Sequence, residues 1–126
     1  MKILSFIICF AITINVFSQN NPPIAVNDSV YATYNDSTIF TNFQGQINSN
    51  GSDPNNNNLF IDTAFYNGQG TFSFSTIAIL TTSSIVRFTY IPPLNFVGID
   101  SAKYVLKDDG SPVMYDTATI YFFVKH

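Results

Sequence analysis

The stretch that decides the fold is residues 90–110, YIPPLNFVGIDSAKYVLKDDG. It begins as the tail of an extended run, TTSSIVRFTYI, in which Val86, Phe88 and Tyr90 recur at every second position. Pro92 and Pro93 stop that run, because proline lacks the N–H a strand ladder needs. Alternation resumes after Gly98, with Ala102, Tyr104 and Leu106 on one side of the chain. A period of two sends successive side chains to opposite faces, so each run predicts a strand with one buried face. Asp108, Asp109 and Gly110 supply the turn chemistry that ends the second run.

The same reading extends outward in both directions. IAVNDSVYATY reads as a first strand kinked at Asn27 and Asp28, and STIFTNFQGQI as a second, broken near Gly45. NSNGSDPNNNN is a loop, with glycine, Asp-Pro and an asparagine run. LFIDTAFY is the third strand, NGQG a turn and TFSFS the fourth strand, with TIAIL either extending it or opening the next loop. PPLNFVG and DDGSPVM are loops. YDTATIYFFV closes the chain, with Ala118, Ile120, Phe122 and Val124 facing one way. Tyr121 and Phe123 face the other, to cover an edge or meet a partner. The result is an all-β chain of about seven short strands, for which two antiparallel sheets packed face to face are the economical arrangement.

The N-terminus stands apart. Met1 and Lys2 precede an apolar run from Ile3 to Val16, and VFSQ follows. That is the layout of a secretory signal peptide, over residues 1–18. The run is shorter than the roughly 20 residues a membrane-spanning helix needs. Residues 19–22 form a lead-in and residues 23–126 the sandwich, with no membrane span expected after the signal is removed. Cys9 is the single cysteine and leaves with the signal. An exported chain without disulfides must rely on its core, and its length suffices for one modest core.

Without Lys2, four cations face eight aspartates, and glutamate is absent. This balance speaks against nucleic acid, which needs clustered lysine and arginine. His126 is the only histidine and sits at the end of the chain, so no Ser-His-Asp arrangement can form in the body. Paired carboxylates could serve a glycosidase, but they need a cleft that a domain of this size has little room for.

With these elements in place, residues 90–108 resemble the signature of bacterial immunoglobulin-like, cadherin-like repeats of surface and adhesin proteins. Tyr90, Pro92, Phe96, Gly98, Asp100, Ser101, Tyr104 and Asp108 carry the resemblance. AVNDSVYATYNDS, NGSDPN and DTATIYFFV are similar to the family's opening stretch, its Asp-Pro loop and its closing strand. Ala102, Asn35 and Asn55 stand where the family usually carries a phenylalanine and two acids. The resemblance implies an immunoglobulin-like Greek-key β-sandwich in a secreted or cell-surface protein. It also implies calcium at strand ends, with Asp28, Asp36, Asp53 and Asp108 as candidate donors, helped by Asn27 or Asn35.

Read residue by residue, the same aspartates are also ordinary turn residues that accept hydrogen bonds from nearby backbone N–H groups. Asp100 reads as the residue that pins the bend at Gly98. The expected function is therefore non-catalytic, with no cofactor other than candidate calcium. The expected role is adhesion or surface binding to protein or glycan. A structural spacer within a larger surface protein is the first alternative and a small secreted hydrolase the second.

Overall fold

The computed structural model describes residues 19–41 and 51–126. The predicted signal peptide, the second predicted strand beyond Thr41 and the opening of the asparagine-rich loop lie outside those residues. Seven strands follow in chain order: β1 (Asp28–Thr33), β2 (Thr38–Thr41), β3 (Leu59–Tyr66), β4 (Thr71–Ile79), β5 (Ser84–Ile91), β6 (Gly98–Asp108) and β7 (Tyr115–Lys125). They form a four-stranded sheet, β1-β7-β6-β3, and a three-stranded sheet, β2-β5-β4. Only β4–β5 and β6–β7 are neighbours in both sequence and sheet; every other connection crosses between sheets. This is the expected immunoglobulin-like sandwich. Among the described residues no helix is long and apolar enough to cross a membrane.

Two local expectations need correction, and one left open is decided. The sheets are not wholly antiparallel, because β1 runs parallel to β7, from Asp28 opposite Ile120 to Thr33 opposite Lys125. The chain leaves β1 for the other sheet, so β1 docks on the β7 edge without a hairpin to reverse it. The first strand starts at Asp28 rather than Ile24. Ahead of it, Ala25 N donates to Asp116 Oδ2 and Thr119 N donates to Asn27 Oδ1, so side chains replace the ladder there. Finally, TIAIL extends β4 as far as Ile79, with a register shift between Thr76 and Ala78.

The core sits where the alternation placed it. Val86, Phe88, Tyr90, Tyr104, Leu106, Ile120 and Phe122 are fully buried, and Ala102, Ala118 and Val124 nearly so. Tyr90 and Phe122 stack across the two sheets with ring centroids 4.0 Å apart. Phe40 stacks on Phe88 at 5.2 Å within the smaller sheet. Each large apolar side chain removed from water contributes roughly 1.5–3 kcal/mol, and here that burial stands in for the missing disulfides.

Asparagine fills the turns for a backbone reason. Asn35, Asn56 and Asn95 all have positive φ, a region that asparagine tolerates better than most residues. Asn95 N donates to Asn35 Oδ1 at 2.7 Å, which bolts the β1–β2 turn to the loop before β6. At the end of that loop, as β6 begins, Gly98 has φ of 144°, a backbone conformation that residues with a side chain rarely adopt.

Asp100 does something other than pin that bend. Its Oδ2 accepts hydrogen bonds from Tyr66 at 2.6 Å and Tyr90 at 2.7 Å. Gly70 N donates in turn to the Tyr66 hydroxyl at 2.7 Å. One carboxylate thus ties β3, β5 and β6 together across both sheets. Desolvation, reinforced by the Asp100 hydrogen bond, pushes the Tyr66 hydroxyl up to about 12 and Tyr90 up as well. Burial also raises Tyr104, whose hydroxyl donates to Val26 O at 2.6 Å.

A pH dependence follows. An unfolded tyrosine loses its proton near pH 10, whereas folded Tyr66 keeps it until about 12. Between those values the unfolded state binds fewer protons, so stability falls as pH rises. Stability from these tyrosines is complete below about pH 10 and is lost progressively above it. Urea midpoints measured from pH 8 to 12 should fall most steeply above 10, and less steeply in Tyr66→Phe. A flat profile would contradict the tyrosine geometry.

Candidate functional site

The four predicted calcium donors do not meet. Asp36 lies in the β1–β2 turn, where its Oδ1 accepts from Ser37 N at 2.7 Å. Asp28 begins β1, with Oδ2 3.4 Å from the Tyr104 hydroxyl. Asp53 and Asp108 share the opposite pole from Asp36: Lys107 pairs with Tyr115 at the start of β7, whereas Thr33 pairs with Lys125 at its end. At about 3.3 Å per residue, those register positions are on the order of 33 Å apart. Among the described residues no group of three or more acidic, histidine or cysteine side chains is gathered for a metal.

The pole that holds Asp53 and Asp108 is an asparagine network. Asp108, 2% exposed, accepts from Asn20 Nδ2 at 2.7 Å, Met114 N at 2.9 Å and Gly110 N at 3.1 Å. Asn57 Nδ2 donates to Asn20 Oδ1 at 2.6 Å, and Asn57 N to Asp53 Oδ1 at 3.0 Å. Side-chain and backbone hydrogen bonds from Asn58 hold the Asp109 carboxyl below its usual range. These are donors facing carboxylates, the turn chemistry that the residue types also predicted, whereas calcium requires six to eight oxygens around one point.

One atom stands out from that network: Asp53 Oδ2 is sealed from solvent, and among the described residues it has no hydrogen-bond partner. Such an oxygen costs about 1–3 kcal/mol. Asp53→Asn keeps an acceptor for Asn55 N and Asn57 N and removes the charge. The variant should match or exceed the wild-type melting temperature in calcium-free buffer. If a cation satisfies Oδ2, calcium will instead raise the wild-type melting temperature by linkage and leave the variant unmoved. A calcium titration of both proteins, against a salt control, separates the two.

The outer face of the four-stranded sheet has a different character. Its rows follow from the register: Tyr31–Phe123–Ile99, then Ser29–Tyr121–Ser101, then Thr119–Lys103–Phe65, Thr117–Val105–Thr63 and Tyr115–Lys107–Phe60. Tyr31 is 76% exposed, Phe65 and Tyr115 54%, and Tyr121 39%. Tyr31 leans on Phe123 at 5.9 Å, and Lys125 Nζ lies 5.3 Å from the Tyr31 ring centroid. The outer face of the smaller sheet carries aliphatic residues instead, with Ile39, Ile77 and Ile91 exposed.

Two recesses border this sheet. The larger, about 490 Å³, lies at the Asp108 pole and reaches between the sheets: Phe60, Lys107 and Tyr115 line it together with Thr76 and Ser84 of the smaller sheet and the carboxylates of Asp62, Asp108 and Asp109. Lys107 pairs there with Asp62 at 2.7 Å, and that hydrogen bond raises the Lys107 pKa. The smaller, about 140 Å³, is lined by Phe65, Asn67, Ser101, Ala102 and Lys103. Sequence reading singled out Tyr121 and Phe123 but missed Tyr31, Phe65, Tyr115 and the three lysines. The signal was the odd-numbered face of β6 and β7, which alternation marks only as outward. Strand order then gathers it into one surface.

Comparison with known proteins agrees with this architecture. No curated protein matches the chain. Among solved structures, the fold is similar to part of a nucleoside hydrolase-related hypothetical protein from Saccharophagus degradans that is associated with carbohydrate metabolism. The TM-score is 0.50 at 18% identity, over 84% of this chain and 26% of that one. This chain therefore spans about a quarter of that protein, and the likeness concerns the fold alone. The family model described as bacterial Ig domain matches residues 20–122. Two sheets joined by crossing connections, the Phe96-to-Asp108 signature at their junction and this match together place the chain in the bacterial immunoglobulin-like domain family.

Proposed function

We propose that the chain is an exported, non-catalytic binding module of a bacterial surface, which holds its target against the outer face of the four-stranded sheet. The observation that supports this reading is the set of exposed aromatic side chains that β1, β7 and β3 place on this face: Tyr31, Tyr121, Phe65 and Tyr115 among them. Buried aromatics stabilise a sandwich; exposed ones add nothing to its core. Exposed apolar groups gathered on one face and set among polar residues are a usual mark of an interaction surface. The apolar run before Ser18 supports export.

The purified exported chain should sediment with intact bacterial cells or their wall fraction. Tyr31→Ala combined with Tyr121→Ala should lower that binding by roughly tenfold or more, the scale of a lost aromatic anchor, at an unchanged melting temperature. N-terminal sequencing of the exported chain should begin at Gln19. The family match favours one other reading, a spacer within a larger surface protein. Under that reading the double variant changes nothing, and this result would overturn the binding role.

A further inference from the structure

The aspartates and lysines of the larger sheet are segregated, with the exception of Asp62. Asp28, Asp100, Asp108 and Asp116 all fall on the inward-facing register of their strands. The last three are tied up by the hydrogen bonds of Tyr66 and Tyr90, of Asn20, and of Ala25 N. Lys103, Lys107 and Lys125 fall on the outward register, and among the described residues only Lys107 of these three meets a carboxylate in a salt bridge, that of Asp62. A chain with a net charge of −3 thus turns a basic face outward on one sheet. Each lysine also stands beside an aromatic ring. Lys125 lies over Tyr31, Lys103 is registered with Phe65, and Lys107 sits between Tyr115 and Phe60.

We propose that this face binds an acidic polysaccharide, with sugar rings packed on the aromatic side chains and their carboxylates or sulfates met by Lys103 and Lys125. The proposal rests on the binding role given above and names its ligand class. The recess beside Lys103 has the matching parts for one charged sugar: the Phe65 ring as a wall, Ser101 and Asn67 as hydrogen-bonding groups, and an ammonium. The larger recess, lined by Asp62, Asp108 and Asp109 beside Lys107, is not a second such place. Lys103 is registered with Thr119, and Lys125 lies six residues further along β7, or about 20 Å. Two lysines that far apart on one face suit a polymer better than a single small molecule.

Charge density selects the polymer. Duplex DNA carries one charge per about 1.7 Å, and the acidic remainder of this chain repels it. A polyuronate carries one charge per sugar, which a few spaced lysines can match. Threonine and serine hydroxyls between the rings, such as Thr117, Thr119 and Ser101, suit sugar hydroxyls rather than a protein's apolar core.

The test is a titration of the exported chain with polygalacturonate, alginate and chondroitin sulfate, alongside fully methyl-esterified polygalacturonate and duplex DNA. At least one acidic glycan should bind, and raising salt should weaken it. Where polygalacturonate is the ligand, the methyl ester should bind roughly tenfold more weakly, since the ester keeps the backbone and removes the charge. Lys103→Gln with Lys125→Gln should lower affinity for the acidic glycan by a similar factor, about 1.4 kcal/mol, with no change in melting temperature. Binding to none of the three acidic glycans would overturn the proposal, as would preferred binding to DNA or an unaffected lysine variant. If the lysine variant still binds cells while Tyr31→Ala with Tyr121→Ala does not, the binding face stands and its acidic ligand falls. If neither variant alters cell binding, both readings fall.

Discussion

Phe122→Ala is expected to destabilise the domain by about 4 kcal/mol, within the range measured for truncating a buried phenylalanine. The side chain has no exposed surface. It belongs to β7 in the larger sheet, yet its ring meets every strand of the smaller one. Tyr90 on β5 stacks on it at 4.0 Å and 10°, Phe40 on β2 lies at 5.8 Å, and Phe72 on β4 at 6.0 Å. Truncation opens a cavity in the seam between two sheets whose backbones are held by their own ladders. The seam therefore collapses only partly, and the cavity term adds to the lost transfer energy. Domains of this size are stable by roughly 5–15 kcal/mol, so the loss is a large share of the total. The urea midpoint should fall sharply with little change in slope. Tyr121→Ala, one residue away on the outer face, should stay within about 0.5 kcal/mol of wild type. Equal effects at the two positions would mean that the inward and outward faces of β7 have been misassigned.

Asp100→Ala is expected to cost about 3 kcal/mol. Its carboxylate accepts two tyrosine hydroxyls, and hydrogen bonds to a charged group contribute about 1.5–3 kcal/mol each. The site is half-buried, so water can reach part of the space left by the truncation and the two terms do not add in full. Asp100→Asn should be milder, near 1 kcal/mol, because its amide oxygen can still accept both hydroxyls while its NH2 takes the place of Oδ1, the acceptor of Ser101 N. The two variants also differ in alkali. Removing the carboxylate takes away part of what raises Tyr66 and Tyr90. The loss of stability above pH 10 should therefore be shallower in both variants. An Asp100→Ala protein as stable as wild type would show that the three strands are not joined at this point.

These two residues also show how far the chain could be read before its fold was known. Phe122 was legible as a core residue because Ala118, Ile120, Phe122 and Val124 recur every second position. That its ring would meet β2, β4 and β5 was not, because alternation says which way a side chain points and nothing about what lies opposite. Asp100 was legible as a special position from the Phe-x-Gly-x-Asp pattern, but its role was misread. Its partners lie 34 and 10 residues away, and no local pattern announces a tyrosine arriving from another sheet. The aspartates at strand ends were found and their turn chemistry anticipated. Their separation to opposite poles depends on the strand order. The lysine and aromatic face was missed because its members come from four strands and become neighbours only through register.

Period-two spacing, proline and glycine breaks and asparagine-rich turns were thus sufficient for the strands, their buried faces and the sandwich class. Those features act over a few residues, so the linear chain records them fully. The parallel seat of β1, the Asp100 bridge and the basic aromatic surface arise from contacts between distant segments. Such contacts are selected by the joint packing of two sheets, a property of the assembled domain that no short window of residues carries.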